Sequence, residues 1–193
     1  MTTSGETARG SLLVISGPSG VGKSSVVRAL TERVPFHFSV SWTTRQRRVG
    51  EVDGVDYVFV DRGEFERGIA AGGFLEWAEY SGHLYGTPRA AVLDHLDRGE
   101  HVLLDIENDG ARQVKTTYPD VVLVFVLPPS LEELERRLRD RGDTPEEDIR
   151  IRLGVAATQI EQAQSVFDHF VVNAEVDTVT DEIVSILSGA GGR

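Results

Sequence analysis

The sequence predicts an α/β protein, with a parallel central sheet flanked by helices. Short β-rich runs alternate with helical patterns along its whole length. Several of those runs are apolar throughout, as strands covered on both faces are. The first of them leads directly into a glycine-rich loop and a helix. With 193 residues and 40% apolar content, the chain can bury one core and carry a small inserted lobe.

Leu12–Ile15 is the first candidate core strand. Gly17-Pro18-Ser19-Gly20-Val21-Gly22-Lys23-Ser24 follows and fits G-x-x-x-x-G-K-[ST] at every fixed position. Ser25-Val26-Val27-Arg28-Ala29-Leu30 then continues as a helix. In that setting the glycines let the backbone turn tightly, so that N–H groups and a helix N-terminus converge on one anion. Lys23 can reach the outer phosphates of a nucleoside triphosphate, and the Ser24 hydroxyl can sit on magnesium.

Phe38–Val40 is the second candidate strand. Residues 41–86 read differently: Tyr57–Val60 and Phe74–Trp77 suggest strands around a helix at 62–71, with turns at Asp53-Gly54 and Ser81-Gly82. This predicts a small, partly β insertion lying over the phosphate loop. Val102–Leu104, Val121–Leu127 and Phe170–Val172 complete the expected core strands. Capping-box spacing marks helix starts at Asp61 with Glu64, Ser130 with Glu133 and Thr144 with Glu147. Thr87 before Pro88 and Thr144 before Pro145 each predict a proline at the first helical position. Residues 136–150 carry dense mixed charge, which suits either a mobile lid or a solvated, salt-bridged helix pair.

Composition narrows the function classes. The net charge of −11, from 31 acidic and 20 basic residues, argues against a general nucleic-acid binder. Lys23 and Lys115 are the only lysines, so Lys23 does not belong to a lysine-rich background. The absence of cysteine excludes disulfides and thiolate metal sites. Met1–Gly10 lacks the order of a secretory signal, and no apolar run approaches membrane-spanning length. The five histidines show no metal-ligand spacing. A soluble, cytoplasmic protein without membrane or nucleic-acid partners is the expectation. Against the acidic background, Arg45, Arg47 and Arg48 cluster with no acid between Ser39 and Gly50. Guanidinium forks of this kind bind phosphate oxygens bidentately, so the segment reads as a second anion site.

These residues carry a family resemblance. The phosphate loop, Ser39-Val40-Ser41-Trp42-Thr43-Thr44-Arg45, Arg48-Val49-Gly50-Glu51 and Gly54-Val55-Asp56-Tyr57-Val58-Phe59 resemble guanylate kinases. So do Glu76-Trp77, Tyr85-Gly86-Thr87, Asp105-Ile106-Glu107 and Arg141-Gly142, in the family's order and spacing over about residues 10–187. The resemblance implies a phosphate-loop kinase with a core at about 10–40 and 88–187, a GMP-binding insertion at about 41–87 and a helical lid at about 136–150. It implies that ATP binds along Gly17–Ser25, with Asn173 near the adenine. It also implies that Arg45 and Arg48, with Tyr57 and Tyr85, hold the GMP phosphate, chemistry that suits a dianion. From the residues alone, strand packing accounts for the two tyrosines equally well.

By the same resemblance Glu76 reads guanine, whose N1–H and 2-amino group lie side by side and can both donate to one carboxylate; adenine lacks that pair. Ser41 and Thr87 match hydroxyls near guanine O6, and Glu107 matches an acid of the acceptor site. Asp105 stands where an acid can orient magnesium-bound water, with Ser24 as the direct ligand. Arg137, Arg141 and Arg152 match arginines that approach the phosphates from the lid and the helix after it, joining Lys23 and Arg45 as catalytic groups. Arg136, Arg139 and Arg150 match nothing and read as surface charge. Asp109 replaces a common glutamine, and Trp42 has no assigned task.

The activity this implies is transfer of the γ-phosphoryl of Mg·ATP to GMP in purine nucleotide metabolism. Two other readings fit parts of the pattern. Guanylate-kinase-like domains of some scaffold proteins bind phosphorylated peptides rather than catalyse, and related kinases phosphorylate sugar phosphates. The intact Lys23-Ser24 pair weighs against the first; Glu76 with Ser41 and Thr87 weighs against the second. A regulatory GTPase is disfavoured by the lack of an N-K-x-D motif.

Overall fold

The computed structural model describes residues 9–140 and 145–190, so Arg141 and Thr144 lie outside the described residues. In chain order the elements are β1 (Leu12–Ser16), α1 (Lys23–Arg33), β2 (Phe36–Phe38), β3 (Trp42–Thr43), β4 (Val58–Phe59), α2 (Arg62–Ala70), β5 (Phe74–Tyr80), β6 (His83–Pro88), α3 (Arg89–Asp97), β7 (His101–Asp105), α4 (Asn108–Thr117), β8 (Val122–Leu127), α5 (Leu131–Asp140), α6 (Glu146–Ala163), β9 (His169–Val172) and α7 (Val176–Ala190). A five-stranded sheet runs β2-β7-β1-β8-β9, with parallel pairing of β1 to β8, β2 to β7 and β8 to β9. A four-stranded sheet runs β4-β3-β6-β5 and is antiparallel except between β3 and β4.

The chain divides into two compact units. Of the described residues, the loop unit holds 13–35, 105–111, 122–140 and 145–190. Leu13, Val14 and Ile15 of β1 and Leu123–Val126 of β8 are fully buried, as strands covered on both faces must be. Each such side chain contributes about 1.5–3 kcal/mol on leaving water, which gives the phosphate loop a rigid footing. Val26 and Leu30 of α1, with Val179 and Ile183 of α7, are buried in the same unit. Helices α5 and α6 join through Leu134, Leu138, Ile149 and Ala156. Arg136 pairs with Glu133 and Asp140 along α5, and Arg139 of α5 pairs with Glu146 of α6.

The hairpin unit holds residues 9–12, 36–104 and 112–121. Its own core is Phe65, Phe74 and Leu84, with Trp42, Val60 and Ile69 packed against it. Trp42 meets Phe74 edge to face at 5.6 Å, which gives it a packing task. β5 and β6 form a hairpin closed by Ser81 (φ 51°) and Gly82 (φ 78°), both left-handed, the geometry of a tight two-residue turn.

Three local expectations shift. β2 covers Phe36–Phe38 rather than Phe38–Val40, because its ladder follows β7 from His101 to Leu103 and not its own β-branched residues. Thr87 and Pro88 end β6, paired with Glu76 and Phe74, and α3 starts only at Arg89. Pro88 and Pro145 are N-caps with extended backbone, not first helical residues. By contrast, Glu64 N–H donates to Asp61 Oδ1 at 2.7 Å and Glu133 N–H to Ser130 Oγ at 3.1 Å, so these two helix starts form as expected. No described helix is long and apolar enough to cross a membrane.

Candidate active site

The loop between β1 and α1 owes its shape to backbone. Gly22 caps α1 in the left-handed region (φ 97°), and a Cβ there would lie 2.5 Å from Asn173 Nδ2. A Cβ on Gly17 would lie 2.5 Å from the Val126 carbonyl oxygen. Side chains are excluded at both positions, so the loop seats directly on the ends of β8 and β9. No side chain caps α1; Ser25 and Val26 N–H donate to the Gly22 carbonyl, which leaves those of Lys23 and Ser24 to meet an anion.

Lys23 Nζ donates to the Gly17 carbonyl at 2.8 Å and lies 3.5 Å from Asp105 Oδ1. The ammonium is thus folded back over the loop, between a neutral acceptor and a carboxylate. Asn173, buried at the end of β9, donates from Nδ2 to the Val21 carbonyl at 2.8 Å. Arg137 reaches the Val21 carbonyl at 3.2 Å and that of Asn173 at 3.0 Å, while its Nε pairs with Glu133 at 2.8 Å. Asn173 and Arg137 therefore brace the loop from outside.

A cleft of about 410 Å³ opens over this loop. Pro18, Ser19, Gly20, Gly22, Lys23, Ser24 and Ser25 line one side, and Arg152, Ile151 and Val155 of α6 another. Glu107 also lines it, and Gln159 Nε2 donates to Glu107 Oε2 at 2.8 Å. Asn108 Nδ2 donates to the Gln159 carbonyl at 2.9 Å, tying α4 to α6. Asp109 occupies the first turn of α4, where an acid favours the helix dipole. Gln159 carries no sequence signal; only its contact with Glu107 brings it to notice.

The hairpin unit holds a different kind of site. Arg45 pairs bidentately with Glu51, Nη2 to Oε1 at 2.7 Å and Nη1 to Oε2 at 3.1 Å. Its guanidinium lies 5.5 Å over the Tyr57 ring and 5.8 Å over Phe59. Tyr57 in turn meets Tyr85 edge to face at 6.0 Å. Arg45, Tyr57 and Tyr85 are thus brought together, while Arg48 is exposed and donates its backbone N–H to Glu51 at 2.7 Å. The Arg45 guanidinium, and after it that backbone N–H, pull the Glu51 carboxyl down to about 2. Glu51 is the partner sequence reasoning left without a role; an acid closing an arginine-rich stretch is the available signal.

Glu76 on β5 is 8% exposed, and the buried Thr87 hydroxyl donates to its Oε1 at 2.5 Å. Burial pushes its carboxyl above the ordinary value, and the hydrogen bonds from Thr87 offset part of that rise. Ser41 precedes β3, its carbonyl accepting from Val58 N–H at 2.9 Å. A buried, hydrogen-bonded acid and a guanidinium flanked by two phenols therefore belong to one unit. Together they offer an acceptor for paired N–H donors and a cation for a phosphate.

A family model described as "Guanylate kinase" matches residues 9–190. The chain belongs to the guanylate kinase family. A curated guanylate kinase of Thermus thermophilus is 52% identical over 185 residues, covering 96% of this chain and 84% of the relative. One from Rubrobacter xylanophilus is 49% identical over 180 residues, covering 93% and 94%. Among solved structures, a guanylate kinase from Anaplasma phagocytophilum matches with TM-score 0.71 and 37% identity, over 97% of this chain and 89% of that one. The SH3-kinase fragment of tight junction protein 3 matches with TM-score 0.53 at 14% identity, covering 97% of this chain and 60% of that one, a likeness of fold alone.

Proposed function

We propose that this chain is an ATP:GMP phosphotransferase that converts ATP and GMP to ADP and GDP, working in the cytoplasm in purine nucleotide metabolism. The observation that carries the acceptor is Glu76, a buried carboxylate hydrogen-bonded to Thr87. It accepts from guanine N1–H and the 2-amino group, with Ser41 and Thr87 as hydroxyls for the base edge. Arg45, Arg48, Tyr57 and Tyr85 hold the GMP phosphate, Arg45 being oriented by its pairing with Glu51.

ATP lies along Gly17–Ser25, its phosphates on the loop N–H groups and Lys23. Asn173 serves the adenine end, and Glu107 the acceptor. The hard oxygen donors Ser24 and Asp105, the latter 3.5 Å from Lys23 and acting through water, suit Mg²⁺. Mg²⁺, when bound, neutralises charge on the β- and γ-phosphate oxygens. A GMP phosphate oxygen forms a bond to the γ-phosphorus as the bond to the β–γ bridging oxygen breaks and ADP leaves. Lys23, Arg137, Arg141 and Arg152 balance the charge spread over the transferring group, and residues 136–150 act as a lid that excludes water.

An acceptor screen with Mg·ATP tests this reading. GMP is expected to support turnover about 10²-fold or more faster than AMP, CMP or UMP, because the wrong base edge leaves buried polar groups unpaired. Comparable rates with AMP overturn the guanine assignment.

A further inference from the structure

β5 is an edge strand, hydrogen-bonded to β6 on one side. Its outer side would be left with unpaired backbone groups, which an edge strand must satisfy by other means. Gln113 of α4 does this at Trp77. Its Oε1 accepts from Trp77 N–H at 3.1 Å and its Nε2 donates to the Trp77 carbonyl at 3.0 Å. The side-chain amide thus stands in for a residue of a neighbouring strand, using its acceptor oxygen and one of its two N–H donors together. One helical turn on, Thr117 Oγ donates to the Leu75 carbonyl at 3.0 Å. Leu75 and Trp77 are the two neighbours of Glu76 in the chain, and the β5–β6 register is irregular between Phe74 and Glu76.

The backbone that aims Glu76 is therefore gripped on both sides from α4, at the point where its ladder is disturbed. Trp77 is 39% exposed, so its packing contributes less to holding that position than it would in a core. We propose that Gln113 is a positioning residue for guanine recognition, its amide fixing the Trp77 backbone so that the Glu76 carboxylate keeps its aim. This rests on the reading of Glu76 as the guanine acceptor. A carboxylate displaced by a fraction of an ångström loses one of two parallel hydrogen bonds while keeping the other. The loss should then fall on the 2-amino group, and not on the phosphate or on ATP.

The full-length chain with Gln113→Leu tests this by steady-state kinetics with GMP and with IMP, which lacks the 2-amino group, and by hydrogen exchange at the Trp77 amide. The expected results are faster Trp77 exchange and a KM for GMP raised about three- to tenfold, the worth of one hydrogen bond. The preference for GMP over IMP should narrow, while KM for ATP and kcat stay within about twofold. Gln113→Glu, which keeps the acceptor for Trp77 N–H but sets an anion against the Trp77 carbonyl, should do at least as much harm. Thr116→Ala on the same helix should leave all these readouts unchanged. A merely structural role would lower Tm and leave the GMP-to-IMP preference intact, and that result overturns the proposal. If wild type does not phosphorylate GMP, the functional reading itself fails, and the positioning role falls with it. If wild type turns over GMP and Gln113→Leu retains its KM and preference, only the positioning role fails.

Discussion

The phosphate loop and the acceptor cluster are built on opposite principles. The loop is a contiguous run that presents backbone groups, shaped by glycines where a Cβ would lie 2.5 Å from Val126 or Asn173. The acceptor cluster draws side chains from positions 45, 51 and 57 between β3 and β4, from 76 on β5, and from 85 and 87 on β6. Their cations are held differently as well. Lys23 rests on a carbonyl with a carboxylate 3.5 Å away, whereas Arg45 is locked bidentately onto Glu51. A backbone site is fixed by local sequence; a side-chain site depends on every segment that carries a member.

If the two sites have these separate tasks, damage to one should leave the other substrate's binding alone. Lys23→Met should give the largest effect, a fall in kcat of about 10²- to 10³-fold with GMP affinity by equilibrium titration little changed. A matching loss of GMP affinity would break the division.

Glu76→Gln comes next. It should lower kcat/KM for GMP by about 10- to 10²-fold through loss of charged hydrogen bonds, with KM for ATP unchanged. The same variant should have a higher Tm at neutral pH. Burial raises the Glu76 pKa, so the ionised carboxylate destabilises the fold above that pKa, and the penalty is relieved as pH falls through it. The Tm gain should therefore shrink on acidification, while wild-type KM for GMP rises over the same interval. A pH-independent KM for GMP would remove Glu76 from the site.

The smallest effect is expected from Glu51→Gln. Its carboxyl is pulled down to about 2 from an ordinary 4.5, so the Arg45 pair contributes fully above the ordinary value and is lost as pH falls towards about 2. Thermal denaturation should show a deficit at neutral pH that narrows below about pH 4.5, the bidentate pair being largely shielded from water. Freed from Glu51, Arg45 loses its preset orientation, so KM for GMP should rise a few-fold and KM for ATP should not.

Much of this was legible in advance, and the reasons are physical. The core strands Leu12–Ile15 and Val121–Leu127 announce themselves because burial on both faces demands unbroken apolar runs. The caps at Asp61 and Ser130 are local, since donor and acceptor lie three residues apart. β6 was hidden: Pro88 reads as a helix start, and only pairing with β5 across the Ser81-Gly82 turn makes His83–Pro88 a strand. β3, two residues long, has no periodicity to read. Glu51 on Arg45, Gln159 on Glu107 and Thr87 on Glu76 are pairings that residue spacing alone does not supply.

The sequence by itself determined the α/β class, the phosphate loop and the family, because those rest on contiguous backbone chemistry and motifs in order. Only the tertiary structure decided that Glu76 is buried against Thr87, that Arg45 is paired with Glu51, and that Asn173 and Arg137 brace the loop at Val21. Those relations join residues up to 152 positions apart, and hydrogen bonds of about 3 Å between such residues exist only once the strands that carry them are packed.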